Sequence, residues 1–221
     1  MQICHDTQRR RITRTMPSYK LTYFNVRGRA EVTRLALAVA KVKYEDERLD
    51  SNAWQKMKPN TLTGQLPILV ADGKEISQSN AILRHIAREH GMYGKGNKEN
   101  TEVDVVIETA NDLIDKKIKV FFEKDESKKA ELMKEFVDDT VPLFVKISSA
   151  LLGKKEWMVG SKVTVADLTV YNVLESIVTM ALDKFGKDIF DGYDNMKQHA
   201  NRVKSIPEMK KWLETRPKTD F

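Results

Sequence analysis

Cysteine is almost absent: Cys4 stands alone among 221 residues. One thiol excludes an intramolecular disulfide, a cysteine-based zinc site and a two-thiol redox pair, and it suits a reducing cytosol. Any thiol chemistry must therefore borrow its sulfur. Long apolar runs are missing too, since no consecutive stretch approaches the roughly 18 residues that a membrane span needs. That sets aside transmembrane and fibrous classes. Histidine is sparse, with four in the chain. His85 and His90 stand five apart, off one helix face, and His5 and His199 have no partner at ligand spacing, so no histidine metal site is expected. The run Gly91-Met92-Tyr93-Gly94-Lys95-Gly96 lacks the spacing of a phosphate loop and has no Ser or Thr after its lysine.

What is present is core material. Hydrophobic residues make up 41% of the chain and charged residues 32%, too apolar a mixture for a disordered polymer. The net charge of +6 is unevenly spread: residues 1–15 carry four Arg and one Asp, residues 16–92 carry 12 basic and 8 acidic side chains, and residues 93–221 carry 22 basic and 23 acidic. Half of the excess lies in a short leader. Acidic residues stand near the pairs Lys116-Lys117, Lys128-Lys129, Lys154-Lys155 and Lys210-Lys211, so these read as solvated faces, with no nucleic-acid surface. The leader has no apolar core for a secretory signal and is short for a mitochondrial presequence. With Met16 directly before the first patterned segment, residues 1–15 read as a disordered basic tail left by an upstream start codon.

The pattern predicts a strand from Tyr19 to near Asn25, then a helix whose stripe is Val32, Leu35, Ala36, Val39 and Ala40. Residues 42–49 form a more polar strand that completes a βαβ unit. A loop containing Trp54, Lys58 and Pro59 follows. Residues 66–70 read as a buried strand, and Asp72-Gly73 as a hairpin turn into a strand near Glu75-Ile76. Ser79 is expected to cap a helix that turns Ile82, Leu83 and Ile86 inward and ends at Gly91. Residues 93–100 have the composition of a linker.

Beyond the linker the pattern is helical. Val103, Val106, Ile107, Ala110, Leu113 and Ile114 keep a 3.6-residue period, and Leu132, Met133, Phe136 and Val137 begin a helix that Pro142 kinks or restarts. Thr164-Val165-Ala166-Asp167 is a capping box, with Val163 and Leu168 placed as a hydrophobic staple. Short helices over 196–204 and 207–215 finish the chain, and Met180 and Met196 read as core or pocket lining. The expected fold is an α/β thioredoxin-like domain (βαβ-ββα) over 16–92, followed by an all-α domain over 101–221.

A thioredoxin-like half without a Cys-x-x-Cys pair has Tyr23 near the junction of first strand and first helix instead. Leu66-Pro67 stands where this fold typically holds a cis proline, and Gln78-Ser79 stands at the next helix N-terminus; a thiol peptide fits between them. The bland alternative for Tyr23 is an aromatic packing residue.

Four segments carry a resemblance: Tyr23-Phe24-Asn25-Val26-Arg27-Gly28-Arg29-Ala30-Glu31, Gly64-Gln65-Leu66-Pro67-Ile68-Leu69, Gln78-Ser79-Asn80-Ala81-Ile82 and Thr164-Val165-Ala166-Asp167. In order and spacing, the chain from residue 16 to its end resembles the sigma-class cytosolic glutathione S-transferases, which include haematopoietic prostaglandin D synthases and cephalopod lens crystallins. The resemblance implies that Tyr23 is catalytic, donating a hydrogen bond to the glutathione sulfur, with Arg29 in support. A thiol of pKa about 8.5 is only a few per cent thiolate at pH 7, and lowering that pKa by about two corresponds to about 2.7 kcal/mol. Trp54 and Lys58 would meet the glycine carboxylate; Gln65, Leu66 and Pro67 the cysteinyl part; Gln78 and Ser79 the γ-glutamyl carboxylate.

Asp112 matches an acid that reaches across a homodimer to the partner subunit's glutathione; its alternative is a solvated helix face. The acceptor would be a hydrophobic electrophile in an apolar cleft between the domains. Glutathione is then a substrate and no cofactor is expected, nor any nucleic-acid or membrane partner, and the location implied is cytoplasmic. The acidic cluster of the prostaglandin synthases falls here on Glu108, Asn111 and Asp112, where one acid has become an amide, so no metal is expected. Their roofing tryptophan falls at about Lys119. Glutathione-dependent isomerisation or peroxide reduction would use the same thiolate, and a crystallin-like structural protein is the non-enzymatic rival.

Overall fold

The structure is a computed structural model that describes residues 18–219, so the tail expected over residues 1–15 lies outside the described residues. The first half is built on a four-stranded sheet of order β2-β1-β3-β4. β1 (Tyr19–Phe24) runs parallel to β2 (Glu45–Leu49) and antiparallel to β3 (Ile68–Ala71), which pairs antiparallel with β4 (Lys74–Ser77). Along β1 the side chains alternate between two environments. Tyr19, Leu21 and Tyr23 are buried in the core, while Lys20 and Thr22 both donate to the Glu47 carboxylate on β2 at 2.7 Å. The β3–β4 turn uses Asp72 at φ 49° and Gly73 at φ 80°, the paired positive φ values of a two-residue hairpin.

α1 (Glu31–Val39) buries Val32, Leu35 and Ala36, and α3 (Ser79–Glu89) buries Ile82, Leu83 and Ile86, as their spacing predicts. Ser79, however, does not cap α3. Gln78 holds the N-cap position at φ 72°, and Ser79 is the first helical residue. The segment expected as a loop around Trp54 is also helical: α2 (Ser51–Met57) starts because Asp50 accepts the Ala53 N–H at 2.7 Å, and a 3₁₀ turn, Lys58–Asn60, follows. A short polar helix with one buried side chain, Trp54, has no apolar stripe by which to be read.

The stretch 93–100 is mostly not a linker. α4 (Gly96–Phe122) begins inside it, and Met92 and Tyr93 are buried. Its glycines are there partly for close packing: a Cβ on Gly94 would lie 2.4 Å from the Glu99 carbonyl carbon. α5 (Glu126–Glu135) widens into a π turn, Phe136–Thr140, before α6 (Val141–Leu152). Pro142 lacks the N–H that the carbonyl four residues back would accept, which accounts for the widened turn ahead of it.

α7 (Val165–Phe185) starts at the capping box, with the Asp167 carboxylate accepting the Thr164 N–H at 2.8 Å. The same buried carboxylate takes the Met158 N–H at 2.7 Å and contacts His199 Nε2 at 2.8 Å, fastening α7 to α8 (Asp194–Ser205). α9 (Pro207–Thr215) packs against α1 and α8. By length and composition α7 could cross a membrane, but most of its apolar window is buried, and it packs on α1, α3, α4 and α8.

Candidate active site

The carboxyl end of β1 leads into a tight turn that fixes the Tyr23 hydroxyl. Gly28 sits at φ +43°, and a Cβ there would lie 2.7 Å from the Tyr23 oxygen and 2.9 Å from its Cε1. Only glycine combines that backbone with that approach. The backbone N–H of Arg29 then donates to the Tyr23 oxygen at 3.2 Å. With its lone pair engaged, the hydroxyl keeps its own proton for donation elsewhere. Tyr23 is 9% exposed, and the guanidinium of fully buried Arg34 lies 5.9 Å from its ring centroid.

Beside Tyr23 is a polar cavity of about 400 Å³. It is lined by Trp54, by the Gly64-Gln65-Leu66-Pro67 turn, by Gln78 and Ser79 at the start of α3, and by Arg29. The Leu66–Pro67 bond is cis. Gln78 Nε2 donates to Gln65 Oε1 at 3.4 Å, linking the turn before β3 to the start of α3. Trp54 is buried edge-on against Phe24, with ring centroids 6.3 Å apart. The N-terminus of α3 brings its partial positive charge to the Gln78-Ser79 end. Lys58 is exposed and outside the lining, with its Cε 3.7 Å from where a Gly64 Cβ would stand. Asp112 is exposed on α4 and lines neither cavity.

Arg29 acts on Tyr23 through its backbone. Its guanidinium points to α4, donating to Asn111 Oδ1 at 3.1 Å and to Asp115 Oδ1 at 2.6 Å. Glu108 is likewise engaged, with Arg84 and with Asn80 Nδ2 at 3.4 Å. The residues at the acidic-cluster register are therefore held largely by arginines, and no group of three or more His, Cys, Asp or Glu among the described residues is arranged to hold a metal ion.

The second cavity is a larger cleft of about 760 Å³ between the sheet half and the helices, and it meets the first at Arg29 and Leu66. Tyr23 lines it together with Leu113, Ile114 and Ile118 of α4 and Ile177 of α7. Lys119, the position read as the roof of this site, is exposed and outside the lining; the turn of α4 brings Lys117, Ile118 and Phe121 inward instead. Sequence reasoning missed Lys117. It stands four residues after Leu113 and four before Phe121, on the apolar stripe itself, but a lysine there reads as an interruption. Its Nζ donates to Ser176 Oγ at 3.0 Å.

A thioredoxin-like sheet half with a polar cavity at its cis-proline turn, joined to a helical half across an apolar cleft, is the architecture of a two-substrate thiol-using protein. Comparisons with known proteins agree. A family model for the glutathione S-transferase N-terminal domain matches residues 19–88, and one for the glutathione S-transferase C-terminal domain matches residues 111–216. Hematopoietic prostaglandin D synthase of Gallus gallus is 37% identical over 204 residues, 92% of this chain and 99% of that one. Glutathione S-transferase 1 of Ascaris suum is 36% identical over 213 residues, 93% of this chain and 100% of that one. The solved structure of monomeric Na-GST-3, a glutathione S-transferase of the hookworm Necator americanus, superposes with a TM-score of 0.81 at 36% identity, covering 92% of this chain and all of that one. The chain belongs to the glutathione S-transferase family.

Proposed function

We propose that this protein binds glutathione in the polar cavity, ionises its thiol beside Tyr23 and delivers the sulfur to a hydrophobic electrophile in the apolar cleft. The observation that carries this reading is Tyr23 itself, whose hydroxyl accepts the Arg29 N–H at 3.2 Å while its side chain lines the cleft. A glutathione sulfur lying between the cavities would receive the hydroxyl's proton as a hydrogen bond and become easier to ionise. Gln65 and the Leu66 backbone would hold the cysteinyl part, with Pro67 shaping that turn. Gln78, Ser79 and the α3 N-terminus would take the γ-glutamyl carboxylate, and Trp54 with Lys58 the glycine carboxylate at the rim. Holding both reactants in neighbouring cavities supplies the orientation that a bimolecular reaction lacks in water. Glutathione is consumed as a substrate, so we propose no separate cofactor and no metal.

The test is conjugation of glutathione to a generic aryl halide, with the thiolate absorbance of bound glutathione followed against pH. Tyr23→Phe should raise the pKa of the bound thiol and lower the rate at pH 7 in proportion to the thiolate lost, roughly threefold if that pKa rises from about 6.5 to about 7.5 and roughly 25-fold if it returns to about 8.5. Binding without turnover of any electrophile in the wild type would favour the crystallin-like structural reading instead.

The resemblance carried by the four sequence segments supports a sigma-class assignment on this reading, with a cytoplasmic, detoxifying role. The similarity to a prostaglandin D synthase makes isomerisation of an endoperoxide by the same thiolate the second reading, measured by product analysis with that substrate. Asp112 would serve a partner subunit's site in a homodimer, and its exposure on α4 is compatible with that. Sedimentation at micromolar concentration should then give a dimer; a monomer with full activity would remove Asp112 from the site.

A further inference from the structure

The apolar cleft contains a cation that thiol activation does not use. Lys117 lies on the α4 face that lines the cleft, between Leu113 and Phe121, with Ile114 and Ile118 beside it. Its ammonium donates to Ser176 Oγ on α7 at 3.0 Å, and that hydroxyl donates in turn to the Val173 carbonyl at 2.8 Å. Among the described residues, Arg27, on the turn after β1, and Glu175 on α7 face it from other elements. Glu175 is shared between two guanidiniums, Arg27 at 3.0 Å and Arg216 at 2.6 Å. Arg216 also reaches Glu31 at 3.0 Å, and Glu31 pairs with buried Arg34 at 3.4 Å.

Glu175 is thus already opposed by two arginines, and Lys117 adds a further positive charge to a weakly hydrated wall. Burial first, and then Arg27, push the Lys117 ammonium down to about 8, against a smaller opposing pull from Glu175. Charge in such surroundings is costly to hold and gains strongly from an anion brought to it.

We propose that Lys117 sets the acceptor specificity of the cleft, selecting electrophiles that join an apolar body to a single carboxylate, which docks on its ammonium. The inference rests on the transferase reading above and names the acceptor class for it. In the conjugation, the glutathione thiolate forms a C–S bond to the β-carbon of an enone, and the C=C π pair moves into the enolate. The enolate takes a proton from water at the α-carbon. Nothing is oxidised or reduced and no group leaves.

A matched pair tests it: 4-(3-oxobut-1-enyl)benzoate and its methyl ester, which share the enone and differ in one charge. The readout is the ratio of their kcat/KM values, in which the pH dependence of the glutathione thiolate cancels. The wild type should prefer the carboxylate by about tenfold at pH 6.5, the gain of one charge-assisted hydrogen bond, with the difference in KM. The preference should fall as the pH is raised past 8 towards 9.5, where the lysine loses its charge while the carboxylate keeps its own. Lys117→Met should bring the ratio near one at every pH, and Lys117→Arg should keep the preference without the alkaline decline. A wild type that turns over the ester and shows no preference for the carboxylate, or a preference that survives in Lys117→Met, overturns the inference and leaves the transferase reading standing. Turnover of neither acceptor overturns both.

Discussion

The polar cavity and the apolar cleft meet at Arg29 and Leu66 but are assembled in different ways. The cavity of about 400 Å³ is built from main-chain turns of the sheet half, with Gly64 at φ 63°, Gln78 at φ 72° and the cis Leu66–Pro67 bond in its wall. The cleft of about 760 Å³ is built from helix faces set against the end of β1, and the ion pair at one end of it joins residues 148 apart in sequence. A site made of backbone positions works only if each is held to a fraction of an ångström. A site made of apolar side-chain faces tolerates changes that conserve volume. Substitutions of similar size should therefore have unequal consequences on the two sides of Tyr23.

The largest effect should come from Gly28→Ala, which attacks the turn the two sites share. Its methyl group would lie 2.7 Å from the Tyr23 oxygen on a backbone at φ +43°. Displacing the hydroxyl by about 1 Å should lower kcat/KM for conjugation about 100-fold, with a lower unfolding midpoint in a thermal melt.

A smaller, reciprocal pair separates the cavities. Gln78→Ala should raise the KM for glutathione roughly tenfold by removing a hydrogen-bonding side chain from the polar cavity, while changing the acceptor KM little. Ile118→Ala, on the cleft wall, should raise the acceptor KM about fivefold through lost apolar contact and leave the glutathione KM near its wild-type value. Steady-state kinetics with each substrate varied in turn reads both, and equal effects on the two KM values would break the distinction.

The smallest effect concerns what holds the two halves beside each other. Arg84 on α3 donates to Asp104 on α4 at 2.6 Å, and the Tyr93 hydroxyl donates to the same carboxylate. Burial would raise the Asp104 pKa, but the bonds from Tyr93 and Arg84 outweigh it and hold the carboxyl below its ordinary value of 3.8. A depressed folded-state value means the contribution is fully present above the ordinary carboxylate range and is lost as the pH falls through the folded value. The difference in unfolding midpoint between the wild type and Asp104→Asn should therefore shrink between pH 6 and pH 3. Because Asp104 is partly exposed, solvent screening keeps the difference small.

Much of the sheet half was legible because its signals are local. Alternation in β1, the Asp72-Gly73 turn and the stripes of α1 and α3 each report on neighbours in sequence, and so does the Thr164–Asp167 box that starts α7. The misses have physical causes. α2 buries only Trp54, so it has no stripe, and its cap, Asp50, is one acid among several. Gly94 and Gly96 read as linker punctuation, yet Gly94 is glycine because the backbone of Glu99 and Asn100 occupies the space of a side chain. Lys119 aligns to the roof of the cleft, but the rotation of α4 turns it outward and brings Lys117 in.

The sequence by itself determined the order of most elements, the division into an α/β half and a helical half, and many of the residue types that line the two cavities, because periodicity, caps and turns act over a few residues. Tertiary structure alone decided which side of α4 faces the cleft. It also decided that the Arg29 side chain turns to Asn111 and Asp115 while its N–H serves Tyr23, and that Asp167 joins Met158 and His199 as well as its own helix start. Those choices depend on how two separately patterned surfaces pack at close distance, where helix rotation and the desolvation of each charge are set by partners dozens of residues away.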